Sequence, residues 1–256
     1  LPIQKIGGNL LNSTEVDAAV QGVDYVVHCA ASTSMYPPRS STVNRVNVDG
    51  TKAIIDACLK YGVKRLVYVG TANSFESGSK DLPGDEFNGY FGARYGLDYM
   101  DSKYKAQCLI QRAVQDQGLN AVVVNPTFMI GPYDSTPSSG TMILSVYSKK
   151  VPGYTNGGKN FVAVKDVAMA IANAMTKGRN GECYIAGNEN LTYKEAFQKI
   201  AMTIGVSPPK RKLTTFMVRA FGKLNSVLAG IFKYRPDLTH ELSILASEEH
   251  YYSAKK

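Results

Sequence analysis

The chain has 256 residues, 44% of them hydrophobic and 20% charged, a composition typical of a globular protein with one large or two modest domains. Its net charge of +8 permits an anionic ligand, but the basic residues are dispersed apart from Lys210-Arg211-Lys212, and they lack the interleaved aromatic residues of a nucleic-acid-binding module. The sequence contains no run of about 18 apolar residues, the length that a transmembrane helix requires.

The first half of the chain alternates between predicted strands and predicted helices. Continuous apolar runs are typical of parallel strands buried on both faces, and apolar residues spaced by three and four indicate helices. In order, we predict a strand end at 1–8, a helix at Thr14–Val20, a strand at Asp24–Ala31, a helix at Val46–Tyr61, a strand at Arg65–Gly70, a helix around Tyr99 that ends at Gly118, and a strand at Ala121–Pro126. This alternation predicts an α/β fold, a doubly wound parallel sheet with ligands at the carboxyl ends of its strands.

The second half of the chain is less regular. We predict a helix at Thr141–Lys149, a strand at Asn160–Val164, a helix at Asp166–Thr176, a strand at Glu182–Ala186, and a helix at Thr192–Gly205 that begins with a capping box. Leu213–Tyr234 is a long apolar stretch interrupted by cations. We interpret it as a helix that covers the substrate cleft, with membrane-surface contact by residues 213–234 as the alternative.

The four cysteines lie far apart, and their spacing fits no metal site. Scattered thiols of this kind suit a reducing cytoplasm, so we expect a cytoplasmic protein without a bound metal. The sequence also has no Gly-x-Ser-x-Gly element, and His240 and His250 lie too far along the chain to complete a triad with any marked serine. These features disfavour a hydrolase.

Tyr99 and Lys103 are spaced as neighbours on one helix face. A phenol ordinarily titrates near pH 10, and a nearby ammonium group favours its ionised form. We therefore expect Lys103 to lower the pKa of Tyr99 and to make it a general acid/base. The spacing alone is weak evidence, because Tyr251 and Lys255 share it.

Three groups of candidate functional residues follow the predicted strands of the sheet. They are the loop at His28–Ser32, Thr71, and Pro126-Thr127. The carboxyl ends of parallel strands meet at one edge of a sheet, so these groups are expected to lie at a common site.

Taken together, these residues resemble the extended short-chain dehydrogenase/reductase family, in the branch that contains dihydroflavonol reductases, 3β-hydroxysteroid dehydrogenases and sugar epimerases. The similar segments follow in the family's order over roughly residues 1–205: His28-Cys-Ala-Ala31, Asn47-Val-Asp-Gly-Thr51, Thr71, Tyr99 with Lys103, Asn125-Pro-Thr-Phe-Met-Ile-Gly131, and Val164-Lys-Asp-Val167. The resemblance implies a Rossmann-type dinucleotide-binding domain at residues 1–130 and about 155–178. It also implies a smaller C-terminal α+β substrate-binding region at about 131–154 and 179–256.

The resemblance also implies roles for individual residues. Tyr99 would exchange a proton with the substrate oxygen, Lys103 would bind the nicotinamide ribose, Thr71 would orient the substrate, and Asn47 would hold a water linked to Lys103. The cofactor-binding positions implied are His28, Ala30, Ala31, Ser32, Gly70, Lys103, Pro126, Thr127 and Phe128. The substrate-binding positions implied are Ala72, Asn73, Phe91, Tyr95, Met129 and Tyr133. For His28 itself, a ring hydrogen-bonded to local neighbours is the expected role.

The sequence departs from the family pattern in two respects. It contains no Gly-x-x-Gly-x-x-Gly after a strand, the segment that binds the cofactor pyrophosphate, so we interpret the chain as an internal fragment that lacks this unit. The family's usual arginine before Pro126 is Asn125, and the acid expected near Gln107 is an amide.

Three functions remain open at this point. The first is an NAD(P)-dependent reductase or dehydrogenase of a small, apolar hydroxy or keto compound. The segments expected to determine the substrate are rich in Tyr, Phe and Met; they are Ser32–Pro38, Phe87–Tyr95, Met129–Ser139 and the segment after Val151. The second is a nucleotide-sugar epimerase or dehydratase, and the third is a non-enzymatic nucleotide-binding scaffold. The choice between NAD and NADP is open, and a homodimer that pairs the Asn47 and Tyr99 helices is an expectation of the family.

Overall fold

The computed structural model describes residues 3–135 and 137–256. Leu1 and Pro2 of the predicted strand end, and Thr136 within a predicted substrate segment, lie outside the described residues. The helices are α1 (Ser13–Val20), α2 (Ser41–Asn44), α3 (Gly50–Lys60), α4 (Asp98–Gln117), α5 (Thr141–Tyr147), α6 (Val164–Lys177), α7 (Tyr193–Ile204), α8 (Thr215–Phe232) and α9 (His240–Leu245). The strands are β1 (Tyr25–His28), β2 (Arg65–Val69), β3 (Ala121–Pro126), β4 (Phe128–Ile130), β5 (Gly158–Ala163), β6 (Cys183–Ala186), β7 (Glu189–Thr192) and β8 (Glu249–His250).

The first sheet has the strand order β1-β2-β3-β6, and β1, β2 and β3 run parallel. Val67 of β2 pairs with Val27 on one side and with Val122 on the other. The β2 and β3 side chains Leu66, Val67 and Val122 are fully buried, as expected for apolar strands inside a parallel sheet. The α/β class and the Rossmann-type strand–helix alternation predicted from the sequence are confirmed.

Two predictions at the start of the chain are wrong. Residues 3–8 form no strand. The strand β1 is not buried on both faces, because Tyr25 is 48% exposed and Val27 is 40% exposed. These two side chains share one face of the strand, and that face is partly exposed, so the apolar sequence alone does not produce burial.

The helix that follows β1 begins earlier than predicted and contains an irregular turn. It starts at α2, where the Ser40 hydroxyl accepts a hydrogen bond from the Val43 N–H, and continues through a π-helical turn at Arg45–Asp49 into α3. Such turns often occur at functional sites. The irregular turn carries Asn47, one of the predicted catalytic residues.

The chain divides into two compact units. The first contains 1–74, 97–125 and 169–184, and the second contains 75–96, 126–168 and 185–256. The sequence placed residues 75–96 in the first domain, whereas here they belong to the second unit. The N–H groups of Gly78 and Gly84 both donate to the Tyr251 carbonyl, which attaches this loop to a part of the chain remote in sequence.

The second unit has its own mixed sheet. Strands β4 and β8 run parallel to β5, and β7 runs antiparallel to it. The predicted capping box at α7 is present, with Thr192 and Glu195 exchanging side-chain and backbone hydrogen bonds. The helices α8 and α9 pack against each other.

None of the four cysteines is part of a disulfide in the part of the chain that the structure describes: Cys58 and Cys183 are buried, Cys108 is half-buried and Cys29 is exposed. Among the described residues, no group of three or more metal-ligating side chains could hold a metal ion. In that same part of the chain, each helix is too short or too polar to span a bilayer.

Candidate active site

Three of the four predicted catalytic residues meet at the carboxyl end of β2. Thr71 follows this strand, and Tyr99 and Lys103 lie on the first turns of α4. The Thr71 side chain is hydrogen-bonded to the Tyr99 phenol. Thr71 also accepts a hydrogen bond from the Asn73 N–H on its hydroxyl oxygen, at 3.3 Å. The parallel sheet therefore brings a hydroxyl and a phenol together from segments 28 positions apart in the sequence.

The Lys103 ammonium group is held at the end of the same strand. It is buried, donates a hydrogen bond to the Val69 carbonyl at 2.7 Å, and lies 4.4 Å from the centre of the Tyr68 ring. Burial lowers the pKa of Lys103 to about 8. The nitrogen remains largely protonated at neutral pH.

The predicted effect of Lys103 on Tyr99 is wrong for this structure. Burial raises the pKa of Tyr99, and the hydrogen bond from Thr71 acts in the opposite direction. The two residues share a helix face, but the long Lys103 side chain directs its ammonium group to the Val69 carbonyl. Tyr99 consequently holds its proton at neutral pH.

Asn47 connects the loop after β1 to the helix α4. Its Oδ1 accepts a hydrogen bond from the Ser32 N–H at 2.7 Å, and its Nδ2 donates to the Ser32 carbonyl at 3.0 Å and to the Ser102 hydroxyl at 2.9 Å. Ser102 lies between Tyr99 and Lys103 and donates to the Tyr99 carbonyl. Both amide hydrogens of Asn47 are therefore used in contacts that position the loop and the helix, and Ser102 is a functional candidate that the sequence analysis missed.

The His28 ring has the local hydrogen bond that was predicted. It lies 3.0 Å from the Thr51 hydroxyl, and that hydroxyl donates to the Asn47 carbonyl. The ring nitrogen Nε2 therefore acts as the donor to Thr51. Burial, with a smaller contribution from Lys103, lowers the pKa of His28 to about 4, so the ring is neutral at pH 7. Of the loop that follows, Ala30 is exposed and Ala31 and Ser32 are half-buried.

The two residues that depart from the family pattern support Thr71 from behind. The Asn125 amide nitrogen donates to the Thr71 carbonyl at 3.0 Å and to Gln107 Oε1 at 2.7 Å, and both side chains are buried. Gly70 allows this approach, because a Cβ at that position would lie 2.5 Å from the Asn125 nitrogen. The sequence flagged Asn125 and Gln107 as unusual, but only the packing shows that they contact the Thr71 backbone.

The remaining predicted residues are distributed between the two units. Ala72 is buried and Asn73 half-buried beside Thr71, in the first unit. In the second unit, Pro126 is buried at the end of β3, and Thr127 donates to Asn160 Oδ1 at 2.8 Å. Phe128 packs edge-on against Phe161.

The predicted substrate residues of the second unit differ in exposure. Tyr95 is buried, and its hydroxyl donates to Glu248 at 2.7 Å and accepts from Arg94 at 2.6 Å. By contrast, Phe91, Met129 and Tyr133 are exposed, Tyr133 almost completely. Their contact with a substrate stays a prediction.

Comparison with known proteins identifies the family of this chain. Residues 3–187 match the family model described as "NAD dependent epimerase/dehydratase family". A putative dihydroflavonol 4-reductase from Synechocystis is 28% identical over 262 residues, which cover 100% of this chain and 76% of that protein. The mouse sterol-4-alpha-carboxylate 3-dehydrogenase (decarboxylating) is 24% identical over 279 residues, covering 99% of this chain and 73% of that protein.

The crystal structure of gox2253 superposes with a TM-score of 0.81 at 30% sequence identity, covering 96% of this chain and 75% of that one. The chain belongs to the NAD-dependent epimerase/dehydratase family, within the extended short-chain dehydrogenases/reductases.

Proposed function

We propose that this protein transfers a hydride between a nicotinamide cofactor and the hydroxyl or carbonyl carbon of a small, apolar substrate, with Tyr99 as the proton donor and acceptor. The observation that carries the proposal is the hydrogen bond between Thr71 and Tyr99, with the buried Lys103 ammonium group at the end of the same strand. These three groups supply what carbonyl reduction requires: a proton, a hydroxyl that orients the carbonyl oxygen, and a positive charge.

The residues of the first unit fit the nicotinamide half of the cofactor. An ammonium group has three N–H donors, and the described structure shows one bond, to the Val69 carbonyl, so Lys103 retains donors for the hydroxyls of a ribose. The cofactor, when bound, supplies or accepts the hydride. The family description names NAD. The proposal includes both NAD and NADP.

The protonation states favour the reducing direction at neutral pH. Since burial raises the pKa of Tyr99, its phenol carries the proton that a carbonyl oxygen takes up as it becomes a hydroxyl. Thr71 donates or accepts a hydrogen bond at the same oxygen and so fixes its position. Lys103, with a pKa of about 8, contributes positive charge near the developing negative charge and loses it above that pH.

Asn47 has a positioning role in this proposal. Its bonds to Ser32 and Ser102 join the loop after β1 to the turn of α4 that carries the reactive side chains. The water relay implied by the family resemblance could use the free lone pair of Asn47 Oδ1, since both amide hydrogens are engaged.

A second candidate function is an epimerase or dehydratase, as the family name includes both. Elimination of water requires an acid or base in addition to Tyr99, to protonate the leaving hydroxyl. The two residues after Thr71 are Ala72 and Asn73, which provide no carboxyl group. This observation disfavours a dehydratase. The reductase and sterol dehydrogenase names of the two relatives support net oxidation or reduction of an apolar substrate rather than epimerisation.

The test is the consumption of reduced cofactor, followed by nicotinamide fluorescence with NADH or NADPH and a series of apolar aldehydes and ketones. Replacing Tyr99 by Phe should lower kcat by about 10²–10⁴ while cofactor binding is retained. Tyr25→Phe is the matched control, because Tyr25 lies on the exposed face of β1.

The possible results separate the three functions. Retained turnover in Tyr99→Phe would remove this residue from the mechanism. Tight cofactor binding without net consumption would favour the epimerase or dehydratase, and absence of cofactor binding in the parent protein would favour a scaffold.

A further inference from the structure

The helix α8 has two apolar faces of different character. The face made of small residues packs against α9, where a Cβ on Gly222 would lie 2.5 Å from that of Ser243. The Ser226 hydroxyl on the same face accepts a hydrogen bond from the His240 N–H at 2.8 Å. These close contacts fix the rotation of α8 about its own axis.

The opposite face presents large apolar side chains to solvent. At 100° per residue, they cover an arc of about 160° along all five turns of the helix. Phe216 is 81% exposed and Phe232 is 71% exposed. The exposed face consists of Phe216, Met217, Phe221, Leu224, Val227, Ile231 and Phe232. An exposed apolar surface that extends over a whole helix marks an interaction site. The interpretation of this segment as a cover for the substrate cleft stays a prediction.

The chain around this face is strongly basic, and its first acidic residue after the helix is Asp237. Residues 206–236 contain seven Lys or Arg residues and no Asp or Glu. Arg219 is paired with Glu248 at 3.1 Å. The other six are exposed and have no ion pair within the described parts of the chain: Lys210, Arg211, Lys212, Lys223, Lys233 and Arg235. Three of them precede the helix at 210–212, Lys223 lies at the border of the apolar arc, and Lys233 and Arg235 follow the helix.

We propose that α8 binds the surface of an anionic lipid bilayer, with its axis parallel to the membrane plane. The large apolar side chains would enter the boundary between headgroups and acyl chains, and the six unpaired cations would contact lipid phosphates or carboxylates. A second copy of the chain is the less suitable occupant. In a two-fold symmetric dimer the same patch meets itself, so the basic clusters would face each other and repel.

Vesicle co-sedimentation tests the proposal. The parent protein should sediment with vesicles of phosphatidylcholine containing about one third phosphatidylglycerol, and not with pure phosphatidylcholine vesicles. Raising the salt concentration to about 0.5 M should release it, because screening shortens the range of the charge interaction. Each Lys or Arg near an anionic surface changes the partition constant by about fivefold.

Two pairs of variants separate the apolar and charged contributions. Phe221→Asp/Leu224→Asp should reduce the bound fraction at least tenfold, whereas Leu82→Asp/Met202→Asp, at apolar positions outside α8 that are still more exposed, should not. Lys210→Glu/Lys212→Glu should have a similar effect, whereas Lys150→Glu/Lys177→Glu, at exposed lysines elsewhere, should have a smaller one. Circular dichroism of each variant verifies that it is folded.

Three outcomes would overturn the proposal. The first is no sedimentation with anionic vesicles. The second is equal binding to both vesicle types, which would remove the role of the cations. The third is a dimer in sedimentation velocity that Phe221→Asp/Leu224→Asp dissociates, without vesicle binding, which would make a second copy the occupant.

Discussion

The amide pair behind Thr71 gives the sharpest prediction about this site. In Asn125→Asp, an oxygen replaces the nitrogen that donates to the Thr71 carbonyl at 3.0 Å and to Gln107 Oε1 at 2.7 Å. Two hydrogen bonds are lost, and a carboxylate with no exposed surface faces a carbonyl oxygen. We expect the free energy of unfolding at pH 7 to fall by about 3–5 kcal/mol. For a chain of this size that corresponds to a decrease in Tm of roughly 6–20 °C.

The loss of stability in Asn125→Asp should increase as the pH rises. Burial raises the pKa of the new carboxyl group in the folded state above its ordinary value of about 3.9. Folding then favours the protonated acid, which can still donate one hydrogen bond. The deficit in stability should therefore be smallest below about pH 4 and grow as the pH rises toward the raised folded-state pKa, above which it is complete.

Thermal unfolding followed by circular dichroism at pH 7 and at pH 4 measures both effects. The matched control is Asn173→Asp, which makes the same change on an exposed position of α6 and should alter stability by less than about 0.5 kcal/mol. In the folded enzyme, Asn125→Asp should also lower kcat with little change in cofactor binding, because the backbone of Thr71 shifts. A Tm equal to that of the control at both pH values would refute the role of this amide pair.

Two further predictions concern the second unit. Gly222→Ala should lower the free energy of unfolding by about 1–3 kcal/mol, since its Cβ would overlap Ser243 and the Thr239 carbonyl. In the same helix, a Cβ at Gly230 meets nothing within 4 Å, so Gly230→Ala should raise the free energy of unfolding by about 0.5–1 kcal/mol. Denaturant unfolding of the two variants tests this, and equal destabilisation would contradict the packing of α8 on α9. A hydrogen bond from Lys80, and a smaller effect of the Thr192 N–H, lower the pKa of Glu195 to about 2. The charge on Glu195 therefore stabilises the fold above about pH 4.5, and this contribution is lost as the pH falls toward 2. Glu195→Gln should thus be less stable than the parent at pH 7, by at most about 1 kcal/mol for such an exposed pair, and equally stable near pH 2; a difference independent of pH would show that the ion pair contributes nothing.

The order of strands and helices could be read from the sequence because it depends on local patterns. The apolar runs at Arg65–Gly70 and Ala121–Pro126 predicted the parallel sheet, and the small residues at the strand ends indicated the edge at which a ligand is expected. The position of Thr71 at this edge, and the shared face of Tyr99 and Lys103, follow from the same periodicities. The capping box at Thr192 is equally local, since its two partners are three residues apart.

Only the tertiary structure decided the features that depend on partners remote in sequence. The helical spacing places Lys103 on the face of Tyr99, but the Val69 carbonyl, 34 positions away, determines where its ammonium group lies. Burial raises the pKa of Tyr99, and the burial results from tertiary packing that the local sequence does not show. The contacts of Asn47 with Ser102 and of Asn125 with Thr71 join segments more than 50 residues apart. The apolar sequences of β1 and α8 could not reveal their exposed faces. Hydrophobicity indicates which side chains can be buried, but the neighbouring elements of the fold determine which side chains are buried.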